Sequence, residues 1–317
     1  MSQRTLRIEP PPAADQAASP HRELALRAVA FASACLVMMA LAYDMVSGGW
    51  IGAAGPHTAV ALVLVLSVLP LTRRVRYLNL TVLYVFALFV YTILRSFADK
   101  TAIPIRTEYV IQLDRLLFLG HQPTQWLQAR LFDPTRLRPL DWLTVQVHWS
   151  YFAVPHVAAA LVFLRRRDLF PRFVALILGT FYVGLVIYFL VPTAPPWLAA
   201  DRGLLPGVAR VMDFVGGQVD PSNYHRLYDA LGVPNPTAAM PSLHMAVTFA
   251  VFLFARDLNR WLGRAALVYA VLMGFSLVYM GEHYATDVLV GVLIAYGVYR
   301  AVRHVSVPAP EPEPVDA

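Results

Sequence analysis

Apolar segments of membrane-spanning length recur along this 317-residue chain and constrain its fold more than any other feature. A helix needs about 20 apolar residues to cross about 30 Å of hydrocarbon. Charged residues make up 15% of the sequence, against about a quarter in soluble domains. The sequence therefore predicts an all-α fold, a polytopic membrane helical bundle of about eight spans. They lie at about residues 24–46, 57–72, 78–95, 143–164, 172–191, 242–256, 263–281 and 283–302.

The placement of arginine predicts how these spans are oriented. The net charge is +6 and Lys100 is the only lysine, so arginine carries the positive charge. Arginines cluster after the second, fourth, sixth and eighth spans and just before the first, which is the positive-inside pattern of cytoplasmic loops. This pattern predicts a cell-membrane protein with both termini cytoplasmic, and it explains the basic charge without nucleic acid. The arginines concerned are Arg22, Arg27, Arg73, Arg74, Arg76, Arg165, Arg166, Arg167, Arg172, Arg256, Arg260, Arg264, Arg300 and Arg303.

Composition also divides the chain into a membrane domain and two tails. Residues 1–22 are rich in Pro, Ala and Ser and are predicted to be a disordered cytoplasmic tail. Residues 305–317, rich in proline and acidic side chains, are predicted to be a second disordered tail. The membrane domain extends over residues 23–304, with its catalytic part at about 172–303.

The connections on the opposite, outer side carry most of the remaining polar residues. Residues 108–118 and 124–132 have apolar positions at helical spacing opposite polar ones. We interpret them as short amphipathic helices at the outer interface that form a lid or platform. The alternative, that they only bridge two spans, is left open by the sequence.

Two histidines and one aspartate stand where outer connections enter apolar spans. His283 and Asp287 are four residues apart at the start of the eighth span, so a helix puts both on one face. A carboxylate beside an imidazole fixes its tautomer and raises the basicity of the other nitrogen, which can then attack phosphorus. His244, at the start of the sixth span, is placed to protonate the departing oxygen. The backbone N–H groups of Ser242 and Leu243 are predicted to be unpaired and to bind phosphate oxygens.

Two motifs around these residues carry a family resemblance. Residues 241–244 (P-S-L-H) resemble the second signature, P-S-x-H, of the type 2 phosphatidic acid phosphatase (PAP2) superfamily. Residues 276–287 resemble its third signature, S-R-x5-H-x3-D. The resemblance covers mainly residues 172–303 and implies that His283 forms a phosphohistidine. It further implies that Asp287 orients His283 and that His244 donates the proton.

The chain also departs from the family's pattern. Leu277 stands where the third signature has arginine, and the first signature, K-x6-R-P, is absent from the end of the fifth span. This pattern is similar to that of the inositolphosphotransferase branch of the superfamily, whose members resemble inositol phosphorylceramide synthase.

Because these basic residues of the family's signatures are absent, other cations must neutralise the negative charge of the phosphate. Arg95, at the outer end of the third span, is the leading candidate, although it could instead anchor its helix at the headgroup level. Lys100 is also assigned to substrate binding, and Arg106, Arg202 and Arg226 are weaker candidates.

Four further outer residues have open interpretations. His148 and Tyr151, in the outer half of the fourth span, could line the pocket or satisfy each other. Thr193 and Trp197 could shape the entrance, while the prolines around them stop the fifth span.

The sequence as a whole favours an enzyme that acts on a lipid phosphate at the outer leaflet. The acceptor is either water or a lipid alcohol, and the partners are lipids and the membrane. Histidine and arginine supply both acid–base chemistry and charge, so no metal and no cofactor is expected. One alternative is a lipid transporter or scramblase, although transporter sites lie near the bilayer midplane. Another is a zinc enzyme with His244, His283 and Asp287 as its three ligands.

Overall fold

A computed structural model describes residues 75–100, 102–219 and 238–303. Both predicted tails, the predicted spans at 24–46 and 57–72, and Arg226 lie outside these residues. Helices form the regular secondary structure of the described ranges, apart from one parallel bridge between Thr193 and Ala238. The α-helices are α1 (Val75–Arg95), α2 (Glu108–Leu117), α3 (Pro123–Leu131), α4 (Pro139–Ser150), α5 (Val154–Arg165), α6 (Phe170–Leu190), α7 (Pro196–Asp201), α8 (Val211–Val219), α9 (Leu243–Leu258), α10 (Arg260–Tyr279) and α11 (Ala285–Arg303).

Several of these helices have the length and composition of membrane spans. In the described part of the chain, three segments can each cross a membrane alone: Arg167–Leu190, Arg260–Tyr279 and Ala285–Arg303. The apolar part of α1, Asn79–Arg95, is shorter. The protein is thus a multi-pass helical membrane protein, while the prediction of eight spans extends beyond the described residues.

The span predicted at 143–164 is not one continuous helix. Helices α4 and α5 share this region and are bent by 49° at the break between them. Pro155 stands in the first turn of α5, where it has no N–H to continue the hydrogen bonds of the preceding helix. The proline therefore accounts for the break.

Helix α9 lies at the centre of the bundle and packs against α6, α10 and α11. Two glycines permit its close contacts. A Cβ added at Gly184 of α6 would lie 2.4 Å from Leu243 Cδ2, and one at Gly291 of α11 would lie 2.4 Å from the Ser242 carbonyl oxygen. Glycine is needed at both positions because real Cβ atoms do not approach other atoms so closely.

One end of the bundle is held by charged and polar residues from three helices. Asp257, near the end of α9, accepts a hydrogen bond from Arg172 of α6 at 3.0 Å and another from the Tyr299 hydroxyl of α11 at 2.8 Å. The histidines of the two motifs lie at the opposite end. The positive-inside pattern predicts that the Asp257 end faces the cytoplasm.

Candidate active site

The three predicted catalytic residues meet at the end of the bundle away from Asp257. His244 lies in the first turn of α9, His283 in the loop before α11, and Asp287 in the first turn of α11. His283 Nε2 is 3.3 Å from His244 Nδ1, and His283 Nδ1 is 3.5 Å from Asp287 Oδ2. His283 and Asp287 are buried. The structure therefore brings two imidazoles and one carboxylate into direct contact.

The Ala239 carbonyl is the nearer hydrogen-bond partner of His283. Its oxygen lies 2.9 Å from His283 Nδ1. A carbonyl oxygen can only accept, so Nδ1 carries the proton and Nε2 of the neutral ring has the lone pair. The nitrogen that faces His244 is therefore the nucleophilic one. Sequence reasoning missed Ala239 because its contribution is a backbone atom in a distant loop.

Asp287 also joins α11 to the start of α9. Its carbonyl oxygen accepts from the Ser242 N–H at 3.1 Å, and its Oδ2 accepts from the Tyr284 N–H at 2.9 Å. The prediction that Ser242 offers an unpaired N–H is therefore wrong, since this N–H donates to the Asp287 carbonyl of α11. A role for Ser242 or Leu243 in substrate binding stays a prediction.

Backbone hydrogen bonds fix the loop that carries His283. The Gly281 carbonyl accepts from the Trp197 N–H at 3.0 Å, and the Met280 carbonyl accepts from the Val211 N–H at 3.3 Å. Gly281 has φ +78, and a Cβ there would lie 3.0 Å from the Ala209 carbonyl oxygen. Only glycine adopts this conformation without strain. The loop is therefore tied to the connection that follows α6.

The two short helices α2 and α3 pack beneath this loop. Gln128 of α3 donates to the carbonyl oxygens of Tyr279 and Ala209, at 2.8 Å and 2.9 Å, and accepts from the Ala209 N–H at 2.8 Å. Tyr109 of α2 shares a hydrogen bond of 2.6 Å with Thr193. The two helices thus contact the loop that carries His283 and the connection after α6, whereas their role as a lid or platform at the outer interface stays a prediction.

Asp114 of α2 binds the first turn of α11. Its carboxylate accepts from the Thr286 N–H at 2.8 Å, the Thr286 hydroxyl at 2.6 Å, the Ala285 N–H at 3.2 Å and Gln122 Nε2 at 3.1 Å. The first N–H groups of a helix have no partner within the helix, and their positive dipole end favours a carboxylate. Asp114 therefore positions the helix start that carries Asp287. Sequence reasoning missed it because its partners lie about 170 residues away.

Aromatic rings surround His244. The ring centres of Tyr151 and His148 lie 4.3 Å and 4.5 Å from that of His244. His148 and Tyr151 thus border the histidine pair. Arg95 is half-buried at the end of α1.

The other predicted cations occupy more exposed positions. Lys100 is exposed, with Nζ 5.2 Å from the centre of the Phe97 ring. Arg106 and Arg202 are also exposed.

A different arginine, which the sequence did not suggest, pairs with the residue before His283. Arg210 Nε is 2.8 Å from Glu282 Oε1, and the guanidinium carbon is 4.3 Å from the centre of the Trp197 ring. Glu282 directly precedes His283. Trp197 thus contributes a surface for Arg210, and its predicted role at the entrance of the site stays a prediction.

Comparison with known families agrees with this geometry. The sequence model of the PAP2 superfamily matches residues 108–301. This region includes α2, α3, His244, His283 and Asp287. The chain belongs to the PAP2 superfamily. No solved structure matches it significantly.

Two characterised relatives point to one branch of the superfamily. A phosphoinositol dihydroceramide synthase of Bacteroides thetaiotaomicron is 28% identical over 46% of this chain and 56% of its own length. An inositol phosphorylceramide synthase of Candida albicans is 26% identical over 53% of this chain and 36% of its own length. An uncharacterised protein of Methanocaldococcus jannaschii is 28% identical over 43% of this chain and 49% of its own length. The names support the inositolphosphotransferase branch, and the match spans about half of the first characterised relative and about a third of the second.

Proposed function

We propose that this protein transfers the phosphorylated headgroup of a lipid, through a covalent intermediate on His283, to water or to a lipid alcohol. The carrying observation is the 3.3 Å contact of His283 Nε2 with His244 Nδ1, which pairs a nucleophile with a proton donor. The family and the relatives indicate an enzyme of the phosphatase or phosphotransferase type. The relatives' names favour a phosphoinositol group as the group transferred and a ceramide as the acceptor.

The reaction has two half-reactions that use the same residues in opposite directions. In the first, His283 Nε2 attacks phosphorus, a P–N bond forms, and the P–O bond to the leaving alcohol breaks. His244 gives its proton to that leaving oxygen. In the second, His244 takes the proton of the acceptor hydroxyl, whose oxygen attacks phosphorus and breaks the P–N bond. Histidine acts as acid and then as base, so the enzyme returns to its starting state.

The neighbours of His283 stabilise the charge that develops on its ring. As Nε2 bonds to phosphorus, the imidazole becomes cationic, and its Nδ1 proton faces the Ala239 carbonyl and the Asp287 carboxylate. A preorganised acceptor and a nearby negative charge lower the energy of that cation. The contact between the histidine rings fills the space beside Nε2, so a bound phosphate must displace it.

A screen of purified protein against lipid phosphates and phosphoinositides tests this proposal. Both released phosphate and new lipid products are followed, because water and alcohol acceptors give different products. Wild-type protein should form an acid-labile, alkali-stable phosphoryl adduct that His283→Ala lacks. Unchanged turnover by His283→Ala would overturn the nucleophile assignment.

Two controls separate the remaining alternatives. Activity that EDTA abolishes and zinc restores would indicate a metal enzyme, whereas vanadate inhibition without metal dependence supports the histidine route. Movement of a labelled lipid between leaflets without any product would indicate a scramblase.

A further inference from the structure

The ion pair of Arg210 and Glu282 is nearly buried beside the nucleophile. The two side chains are 10% and 11% exposed, and two contacts join them, at 2.8 Å and 3.4 Å. Arg210 stacks on Trp197, and Glu282 is the chain neighbour of His283. The pair and the nucleophile are therefore carried by the same fixed loop.

Stability alone does not account for this pair. A buried ion pair has a desolvation cost comparable to its Coulombic gain, so it is weak evidence for stabilisation. The loop is already held by the Met280–Val211 and Gly281–Trp197 backbone hydrogen bonds and by Gln128. The location of the pair instead suggests a function in the site.

The pair lies one residue from the histidine cluster, since Glu282 directly precedes His283, whose ring contacts that of His244. The ring of His148 packs on that of His244, and His148 Nδ1 is buried with no hydrogen-bond partner in the part of the chain that the structure describes. A buried polar atom of this kind needs a partner, and a bound substrate can supply one.

We propose that Arg210, Glu282 and His148 form a headgroup subsite that binds the hydroxyl groups of a phosphorylated polyol. This inference rests on the proposed function and assigns its specificity to named residues. An ionised carboxylate only accepts hydrogen bonds, so Glu282 pairs with hydroxyl donors and repels phosphate oxygens. Arg210 has a planar set of donors that suits both hydroxyl and phosphate oxygens.

A comparison of two substrates tests the subsite. Phosphatidylinositol carries a polyol on its phosphate, whereas phosphatidic acid carries none. Glu282→Gln should raise KM for phosphatidylinositol about tenfold, as expected for one lost hydrogen bond, and leave phosphatidic acid hydrolysis within about twofold. An equal loss on both substrates, or no loss on either, would overturn the proposal.

Two further variants separate recognition from folding. The swap Arg210→Glu with Glu282→Arg is made together with Asp213→Asn, because Asp213 also pairs with Arg210 at 3.4 Å. It keeps an ion pair but reverses its polarity, so it should restore the thermal stability lost in a single variant without restoring phosphatidylinositol KM. Recovery of KM by the swap would show that the pair only ties the loop. Arg130→Ala is the matched control, because Arg130 lies 4.1 Å from the centre of the Trp126 ring in a comparable stack that is exposed.

A binding measurement keeps this inference distinct from the proposed function. Inositol 1-phosphate should raise the melting temperature of the purified wild-type protein more than inorganic phosphate does, and Glu282→Gln should remove that difference. If wild-type protein shows this difference but turns over no lipid, the reaction is wrong and the subsite stands. If it turns over lipid phosphates but shows no preference for inositol 1-phosphate, the subsite is wrong and the reaction stands.

Discussion

His283 directs its Nδ1 at the carbonyl oxygen of Ala239, 2.9 Å away, while Asp287 Oδ2 is farther, at 3.5 Å. The carbonyl alone is enough to keep the proton on Nδ1, so the tautomer does not depend on the carboxylate. Asp287 contributes negative charge beside the ring. These two contributions, orientation and charge, can therefore be separated by mutation.

Substitution of Asp287 tests that separation. Asp287→Asn removes the charge but leaves the Ala239 carbonyl, so kcat should fall about 10²–10⁴-fold, the usual range for acid–base assistance, with little change in KM. His283→Ala should abolish turnover completely. Steady-state kinetics on purified protein measure both variants. If Asp287→Asn keeps wild-type kcat, its charge does not stabilise the reacting imidazole.

The proton-donor role of His244 predicts a dependence on the leaving group. His244→Asn should lose about 10²–10⁴-fold in kcat with a lipid alkyl phosphate, whose alkoxide is a poor leaving group. The loss in the first half-reaction, followed as the initial burst of nitrophenolate, should be much smaller with a p-nitrophenyl ester, because nitrophenolate departs without a proton. The second half-reaction, in which His244 acts as the base, should slow for both esters. The same loss on both esters in the first half-reaction would contradict general acid catalysis by His244.

Asp114 should control both stability and turnover through the start of α11. Asp114→Ala leaves buried donors of Ala285 and Thr286 without their acceptor, and each such loss costs about 1–3 kcal/mol. The melting temperature and kcat should both fall. Asp201→Ala, at an exposed aspartate, is the matched control and should change neither. An Asp114→Ala protein with wild-type stability would show that the helix start does not need this carboxylate.

The stability contributed by Asp114 should also depend on pH with a definite sign. Burial raises the pKa of its carboxyl, and the hydrogen bonds from Thr286 and Ala285 only partly offset that effect. Because its pKa is raised in the folded state, protonated Asp114 favours the folded protein. This contribution to the free energy of unfolding is fully present below the ordinary Asp pKa of about 3.9. It is lost as the pH rises through the raised pKa of the folded state. The melting-temperature difference between wild type and Asp114→Asn should therefore shrink as the pH rises.

Gly291 should tolerate no side chain. In Gly291→Ala the new methyl group would overlap the Ser242 carbonyl oxygen, and overpacking of this kind costs about 1–3 kcal/mol. We expect a lower melting temperature and lower activity, because α9 carries His244. Gly297→Ala is the matched control on the same helix, where an added Cβ meets nothing within 4 Å. Equal melting temperatures for the two variants would contradict the close packing of α9 and α11.

Arg95 and Lys100 were both predicted to bind substrate, and the structure now ranks them. Arg95 is half-buried at the end of α1, whereas Lys100 is exposed beside Phe97. Arg95→Ala should therefore raise KM at least about tenfold, the effect of losing a charge-assisted hydrogen bond. Lys100→Ala should change KM less than about twofold. Indifference to Arg95→Ala would assign that residue to helix anchoring.

The parts that sequence reasoning predicted are those with a local signal. The helical class follows from long apolar segments, and the meeting of His244 with His283 follows from two motifs at the starts of spans. Pro155 also carries a local signal for the break in the span predicted at 143–164. A proline within an apolar run of that length indicates such a bend.

The parts that it missed depend on contacts between distant segments. Asp114 looks like an ordinary polar residue of an amphipathic helix, and only the folded chain brings it to Thr286. Arg210 lies in a long connection with no motif of its own. Ala239 acts through its carbonyl, which no side-chain pattern reveals. The start of a helix, taken alone, predicts an unpaired N–H at Ser242. The neighbouring helix α11 supplies the acceptor, the Asp287 carbonyl, and the sequence does not reveal that contact.

The Ala239 carbonyl and the His244 ring are only five positions apart in the chain, and the backbone of Asp287 holds Ser242 between them. One short stretch thus sets the direction of the attacking nitrogen and also the location of the acid. A shift of this stretch would move both together, so the enzyme would switch off as a unit rather than lose one half of its chemistry.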